Sequence, residues 1–124
     1  MGYEYYEDYE KQPSKPQKVK GLKATKTFDS ITLTWNEIEN AEGYVVQQVK
    51  NGKWKTVETI KSGAVTSCTI EGLLPAKKYK FRVRAYNYNG ADKQYGKYSN
   101  KLTVKTSSVP AVGSLLHPKL RKIQ

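Results

Sequence analysis

Apolar and polar residues alternate in short runs along this chain, which is the pattern of β-strands that bury one face. Residues 30–35 show it clearly, because Ile31, Leu33 and Trp35 fall on one side of such a strand. Runs of this kind, bounded by turn residues, predict seven strands, at residues 19–26, 30–35, 44–50, 54–60, 66–71, 78–87 and 100–106. Seven short strands with frequent turns are typical of an antiparallel sandwich of two sheets.

The residues between the runs indicate how the strands are connected. Asn51-Gly52 separates two runs and predicts a tight β-hairpin, because both residues tolerate a positive φ. Residues 87–98 are polar and contain Gly90 and Gly96, so we expect a long loop before the last strand.

The chain of 124 residues suits one domain with a segment at each end. We expect the domain at residues 16–107, an acidic, tyrosine-rich segment at 1–15 and a basic, apolar segment at 108–124. No apolar stretch approaches the roughly 20 residues that a membrane-spanning helix needs. The first ten residues are polar and acidic, so we expect no signal peptide in this chain.

Charge is distributed unevenly along the chain, whose net charge is +11. Residues 1–10 contain four acidic residues and no basic one, whereas the rest of the chain carries all 22 basic residues and 7 of the 11 acidic ones. A body this basic attracts anionic surfaces, although a solvated, lysine-rich surface is the commoner explanation.

The single cysteine, Cys68, excludes an internal disulfide. It lies in phase with Ile70 in an alternating run, so we expect a small, buried core residue. Nothing in the neighbouring sequence predicts a reactive thiol.

Several of these runs resemble the fibronectin type III domain. The resemblance covers residues 16–107 and rests on the segments SITLTW (30–35), GYVV (43–46), IEGLLP (70–75) and YKFRVRA (79–85). It implies a seven-stranded, immunoglobulin-like antiparallel β-sandwich in which Trp35 and Tyr44 fill the core between the sheets. It also implies a tyrosine corner, in which the hydroxyl of Tyr79 bonds back to the backbone.

A narrower resemblance concerns where such a domain is found. The lysine-rich character of the chain, with residues 21–25 and 95–99, is similar to fibronectin type III domains in secreted or surface proteins of Gram-positive bacteria. This resemblance implies a bacterial protein that is extracellular or at the cell surface.

Catalysis is not expected. His117 is the only histidine and lies in the C-terminal segment, so a histidine-based triad or a histidine-rich metal site cannot form within the domain. Glu37, Glu39 and Glu42 lie in one turn rather than across a cleft. No glycine-rich loop that would hold a phosphate is present. We therefore expect no enzyme activity, no cofactor and no metal.

Two sets of residues are candidates for binding. The outward sides of two strands that are neighbours in the resembled fold would form a basic, partly apolar face of Lys80, Arg82, Arg84, Tyr86, Gln47 and Val49. The polar loop contributes Tyr88, Asn89, Asp92, Tyr95 and Tyr98. Tyrosines supply a large contact area at low entropic cost. The alternatives are an ordinary solvated face and, for Tyr98, packing at the edge of the sandwich.

The N-terminal segment is a third candidate. Its residues Tyr3, Tyr5, Tyr6 and Tyr9 lie among acidic residues, and such a strip could add as a strand to a sheet edge. The basic body would attract it, in the same molecule or in a neighbouring one, so self-association through the terminal segments is possible.

The sequence therefore favours a non-catalytic module of an extracellular or cell-surface protein, which acts as a spacer and as an interaction surface. The expected partner is a protein or an anionic glycan. Two alternatives stay open: a self-assembling fibre subunit joined by exchange of its terminal segments, and an engineered binder on the same scaffold. Nucleic acid is disfavoured as a partner, because the basic residues are spread over several strands and no nucleic-acid motif is present.

Overall fold

The computed structural model describes residues 13–110, which form eight β-strands. In chain order these are β1 (Lys23–Lys26), β2 (Ile31–Thr34), β3 (Gly43–Lys50), β4 (Lys53–Ile60), β5 (Ser67–Ile70), β6 (Lys78–Asn89), β7 (Asp92–Tyr95) and β8 (Leu102–Lys105).

The strands form two sheets whose pairings are all antiparallel. One sheet has the order β1-β2-β5, and the other has the order β4-β3-β6-β7, with β8 also paired to β6. The predicted fold class, an all-β sandwich, is confirmed, and residues 13–110 contain no helix.

The core lies between the two sheets, where the alternating runs place their apolar sides. Trp35 and Tyr44 meet there with their rings edge to face at 5.4 Å between centroids. Cys68 is buried in the same cluster, as the sequence predicts. The other buried members of the cluster are Val19, Ile31, Leu33, Ile38, Val46, Phe81, Val83 and Ala85.

The tyrosine corner implied by the resemblance is present. The backbone N–H of Leu74 donates a hydrogen bond to the Tyr79 hydroxyl at 2.8 Å. Tyr79 is half-buried against the core, so this bond fixes the turn that leads into β6.

The segment at residues 87–98 differs from the prediction of a long loop. Strand β6 continues to Asn89, and β7 pairs back onto it from Asp92, with Gly90 at a φ of +63° in the turn. The hairpin was not predicted because its inward residues are polar and so produce no alternation of apolar and polar residues. Asn87 is only 4% exposed, and its side-chain oxygen accepts a hydrogen bond from Gln94 at 2.9 Å. The last predicted strand, at residues 100–106, corresponds to β8, and β7 is an eighth strand within the segment predicted as a loop.

The described chain begins at one end of the sandwich and ends at the other. The carbonyl of Ser14 accepts hydrogen bonds from the side-chain amides of Asn87 at 2.8 Å and Asn40 at 3.0 Å, near the end of β6. The carbonyl of Ser107 accepts a hydrogen bond from the N–H of Ala76, just before β6 begins.

Candidate functional site

Strand β6 carries the centre of the candidate site. Its alternation turns Phe81 and Val83 into the core and leaves Arg82 and Arg84 on the outer face of the five-stranded sheet. Arg82 lies opposite Gln47 of β3 in the sheet register. The predicted outward direction of these side chains is therefore correct.

The two arginines are stacked between aromatic rings. The guanidinium carbon of Arg82 lies 4.3 Å from the ring centroid of Trp54 and 3.7 Å from that of Tyr98. The guanidinium carbon of Arg84 lies 4.5 Å from the ring centroid of Tyr98 and 3.7 Å from that of Tyr95. Rings and cations therefore alternate across the sheet, and each contact within about 6 Å of a centroid is attractive.

The alternation continues into the β6–β7 hairpin. The ammonium of Lys93 lies 4.1 Å from the ring centroid of Tyr86 and 5.5 Å from that of Tyr95. Gly43 lies opposite Tyr86, and a Cβ at that position would collide with the Tyr86 ring. We call Trp54, Arg82, Tyr98, Arg84, Tyr95, Lys93 and Tyr86 the stacked face.

Tyr86 is outward as predicted, but it is buried, with 3% of its surface exposed. It is covered by neighbours on the outer face, including the rings of Tyr88 and Tyr95 at centroid distances of 5.9 Å and 6.4 Å. Burial raises the pKa of the Tyr86 hydroxyl, and the charge of Lys93 opposes that rise. Tyr86 is thus the buried member of the stacked face.

Hydrogen bonds hold one guanidinium more firmly than the other. The Nε of Arg82 donates to the side-chain oxygen of Gln47 at 2.9 Å, and the Gln47 amide donates to the Thr56 hydroxyl at 3.2 Å. The Nε of Arg84 is buried and has no hydrogen-bond partner within residues 13–110. Since guanidinium edges pair bidentately with carboxylates, the arrangement is suited to binding an anionic group.

The structure brings most of the two predicted sets onto one surface. Arg82, Arg84, Tyr86, Tyr95 and Tyr98 belong to the stacked face, and Gln47 holds Arg82. Other predicted residues lie around it. Lys80 is exposed further along β6, Val49 is half-buried beside Trp54, and Tyr88, Asn89 and Asp92 form the tip of the hairpin.

Sequence reasoning missed Trp54 and Lys93 as members of the site. Trp54 lies in an alternating run, and its outward phase relative to Val57 was the available signal. The predicted residues Tyr3, Tyr5, Tyr6 and Tyr9 lie outside the described residues, so their role stays a prediction.

A groove of about 740 Å³ is another candidate surface, on the side where β4 and β5 are the edge strands of the two sheets. Gln48 lines it and is only 4% exposed. Its rim mixes the acidic Glu58 and Glu71 with Lys77 and other lysines, so it favours no one charge. The stacked face is therefore the stronger candidate.

The described part of the chain offers little else for chemistry. Within residues 13–110 no group of three His, Cys, Asp or Glu side chains is placed to hold a metal ion. The same residues include no helix long and apolar enough to cross a bilayer.

The chain belongs to the fibronectin type III domain family, whose family model matches residues 14–105. This membership confirms the resemblance seen in the strand motifs. Domains of this family are generally non-catalytic modules.

Among curated proteins, the chain is similar to parts of longer proteins. It is 35% identical over 91 residues to an ephrin type-A receptor 3 of Danio rerio, which is 69% of this chain and 9% of the receptor. It is 34% identical over 82 residues to a kelch domain-containing protein of Saccharolobus solfataricus, which is 66% of this chain and 10% of that protein. The chain therefore spans about a tenth of the length of these relatives.

Solved structures show the same fold. The crystal structure of FN3tt matches with a TM-score of 0.67 at 18% identity, covering 78% of this chain and all of that one. The solution structure of the domain from human fibronectin type III domain containing protein 3 matches with a TM-score of 0.63 at 17% identity, covering 85% of this chain and 98% of that one.

Proposed function

We propose that this chain is a non-catalytic interaction module of an extracellular or cell-surface protein, and that its stacked face binds an acidic segment of a partner protein. The single observation that carries the proposal is the placement of Arg82 and Arg84 between Trp54, Tyr98 and Tyr95. One of the two relatives named above is a receptor, which supports an interaction role outside the cell.

Stacking prepares the arginines for binding. An exposed arginine loses rotamer freedom when it pairs with a ligand, and that loss reduces affinity. Arg82 and Arg84 are already held by rings, while the N–H groups at their edges keep the geometry that a carboxylate needs. Binding a carboxylate therefore costs little further side-chain entropy, because folding has already ordered the two guanidinium groups.

The composition of the stacked face favours a protein over a glycan. Arginine, tryptophan and tyrosine are the residues enriched at the centres of protein interfaces, where lysine is depleted. The stacked face holds two arginines, four aromatic rings and one lysine. A sulfated glycan would more readily follow the exposed lysines, which are spread over both sheets.

The path of the chain supports a spacer role alongside binding. The chain is held at Ser14 near one end of β6 and at Ser107 near the other. Strand β6 has 12 residues, and a strand of that length is about 40 Å long. A module whose ends lie far apart adds length between its neighbours.

The test is a titration of the full chain with a blocked peptide of alternating glutamate and glycine, followed by amide NMR shifts. We expect shifts to concentrate on β6 and β7. Arg82→Gln and Arg84→Gln should each weaken binding by at least about tenfold, because hydrogen bonds to charged groups contribute about 1.5–3 kcal/mol. Arg84→Lys should weaken it as well, since lysine keeps the charge and loses the bidentate edge.

The matched controls are Lys23→Gln and Lys26→Gln, which remove one exposed charge each from the other sheet. They should leave binding nearly unchanged. Equal losses in the controls and the arginine variants would reduce the effect to net charge and overturn the proposal. Saturable binding of a heparin oligosaccharide without binding of the peptide would overturn the choice of a protein partner.

A further inference from the structure

We propose that the acidic N-terminal segment, residues 1–10, occupies the stacked face of its own molecule and competes there with the outside partner. This inference rests on the proposed function, because it needs the stacked face to bind carboxylates. It assigns a regulatory role to a segment whose composition is unlike that of the rest of the chain.

The segment is attached beside the stacked face. The side-chain amide of Gln94 donates a hydrogen bond to the carbonyl of Pro13 at 3.1 Å. Gln94 lies on β7 directly between Lys93 and Tyr95, which both belong to the stacked face. Since side chains alternate along a strand, Gln94 holds Pro13 on the opposite side of β7 from those two.

Further contacts fix this attachment point. The Ser14 carbonyl is held by Asn87 and Asn40, and Pro16 is buried. The carbonyl of Pro16 lies so close to Gly96 that a Cβ there would collide with it. The root of the segment is therefore held in one place relative to β7.

The segment is long enough to reach the face. It has only to pass around β7, which ends the five-stranded sheet on that side among the described residues. Each extended residue spans at most about 3.3–3.6 Å, so the 12 residues before Pro13 reach at most about 43 Å. Glu10 is three residues from Pro13, which places it within roughly 10 Å of the root.

The charges of segment and face are complementary. Residues 1–10 carry Glu4, Glu7, Asp8 and Glu10 and no basic residue. The stacked face presents Arg82, Arg84 and Lys93, with the buried Nε of Arg84 lacking a partner in residues 13–110. The other acidic side chains that approach this end of the sheet are Glu42, which accepts from the Tyr88 N–H, and Asp92 at the hairpin tip.

Tethering favours occupation within the same molecule. A ligand joined by a short flexible linker is present at an effective concentration on the order of millimolar. A weak carboxylate interaction is sufficient at that concentration, whereas a second copy of the chain would have to compete from dilute solution. An outside partner must displace the segment, so the segment sets the threshold for binding.

The test compares the full chain with a variant in which the segment is neutral, carrying Glu4→Gln, Glu7→Gln, Asp8→Asn and Glu10→Gln. The matched control neutralises four exposed carboxylates of the body through Glu37→Gln, Glu39→Gln, Glu58→Gln and Glu71→Gln. Two readouts are needed: the Nε–H NMR signals of Arg82 and Arg84 without any ligand, and the Kd for the glutamate–glycine peptide.

We expect the segment variant, and not the control, to shift both arginine signals. If the segment occupies the face nine-tenths of the time, its neutralisation tightens peptide binding by about tenfold. Unchanged arginine signals with unchanged peptide affinity would overturn this inference and leave the proposed function intact. If the peptide binds saturably to neither the full chain nor the segment variant, the proposed function is overturned. The same holds if Lys23→Gln weakens binding of the peptide as much as the arginine variants do. Arginine shifts that appear only as protein concentration rises would assign the site to a second copy and overturn occupation within one molecule.

Discussion

The Tyr44 hydroxyl joins two loops that no strand connects. It accepts a hydrogen bond from the N–H of Ile38 at 3.0 Å and donates one to the carbonyl of Gly63 at 2.8 Å. The Tyr44 side chain is fully buried. A buried backbone group that loses its hydrogen-bond partner costs free energy. By bonding one backbone group of each loop, the Tyr44 hydroxyl holds both loops against the core.

Tyr44→Phe is expected to lower the free energy of unfolding by about 1–3 kcal/mol, because it leaves the Ile38 N–H and the Gly63 carbonyl without that partner. For a domain of this size the melting temperature falls by roughly 4–8 °C for each kcal/mol. The control is Tyr88→Phe on the exposed hairpin, which should change stability by less than about 0.5 kcal/mol. Equal melting temperatures for the two variants in calorimetry would contradict this role of Tyr44.

At the scale of elements, the stacked face adds side-chain contacts between β6, the edge strand β4 and the connection that follows β7. Trp54 lies on β4 at one edge of the sheet, and Tyr98 lies in the connection between β7 and β8. Arg82 on the central β6 contacts both rings. The segment that carries Tyr98 also donates backbone hydrogen bonds to β6, from Gly96 to the Ala85 carbonyl at 2.9 Å and from Ser99 to the Val83 carbonyl at 2.7 Å. Stacking adds side-chain contacts to these bonds and reaches Trp54 on a strand that does not pair with β6.

A double-mutant cycle measures that connection. Tyr98→Leu and Arg82→Met should show a coupling free energy of about 0.5–1 kcal/mol in urea unfolding, the usual size for an exposed cation–π contact. Tyr98→Leu combined with Lys26→Met serves as the control, since Lys26 lies on β1 of the other sheet. Its coupling should be near zero. Equal coupling in both cycles would mean that Tyr98 acts through general stability and not through Arg82.

The strands of the core could be predicted from sequence, because their alternation reports burial directly. Ile31 and Leu33 of β2 and Phe81 and Val83 of β6 all face the core as expected. The β6–β7 hairpin could not, since its inward residues are the amides of the buried Asn87 and the half-buried Gln94, and a hydrogen-bonded amide leaves no apolar pattern. A polar stretch was therefore interpreted as a loop.

The candidate site was predictable in part for a related reason. The alternation of residues in β6 predicts that Arg82 and Arg84 point outward. The number of tyrosines in residues 86–98 singles out Tyr95 and Tyr98. Their interleaving depends on how the outward residues of β4, of β7 and of the connection after β7 lie relative to β6, and no local pattern encodes that arrangement. Trp54 is separated from Arg82 by 27 intervening residues, so only the folded sheet brings the two together.

At the scale of the whole molecule, the fold is most stable when the side chains of Tyr44, Tyr86 and Cys68 are protonated. Burial raises the pKa of the Tyr44 hydroxyl in the core, and that of the Tyr86 hydroxyl on the outer face. Burial, with a smaller effect of the Glu58 charge, raises the pKa of the Cys68 thiol from an ordinary 9.0 to about 11. Both faces of the five-stranded sheet therefore depend on neutral side chains.

This shared requirement predicts an alkaline limit to stability. Each group keeps its proton to a higher pH in the folded state than in the unfolded chain, so its contribution is complete below the unfolded pKa and disappears as the pH rises toward the folded pKa. For Cys68 the window runs from 9.0 to about 11. Urea midpoints should fall across that window, and Cys68→Val, which cannot ionise, should fall less steeply while the two tyrosines still contribute. If the urea midpoints of the parent and of Cys68→Val fall equally with pH, ionisation of the thiol does not destabilise the fold. The variant has no thiol, so any contribution of the thiol must appear as a difference between the two.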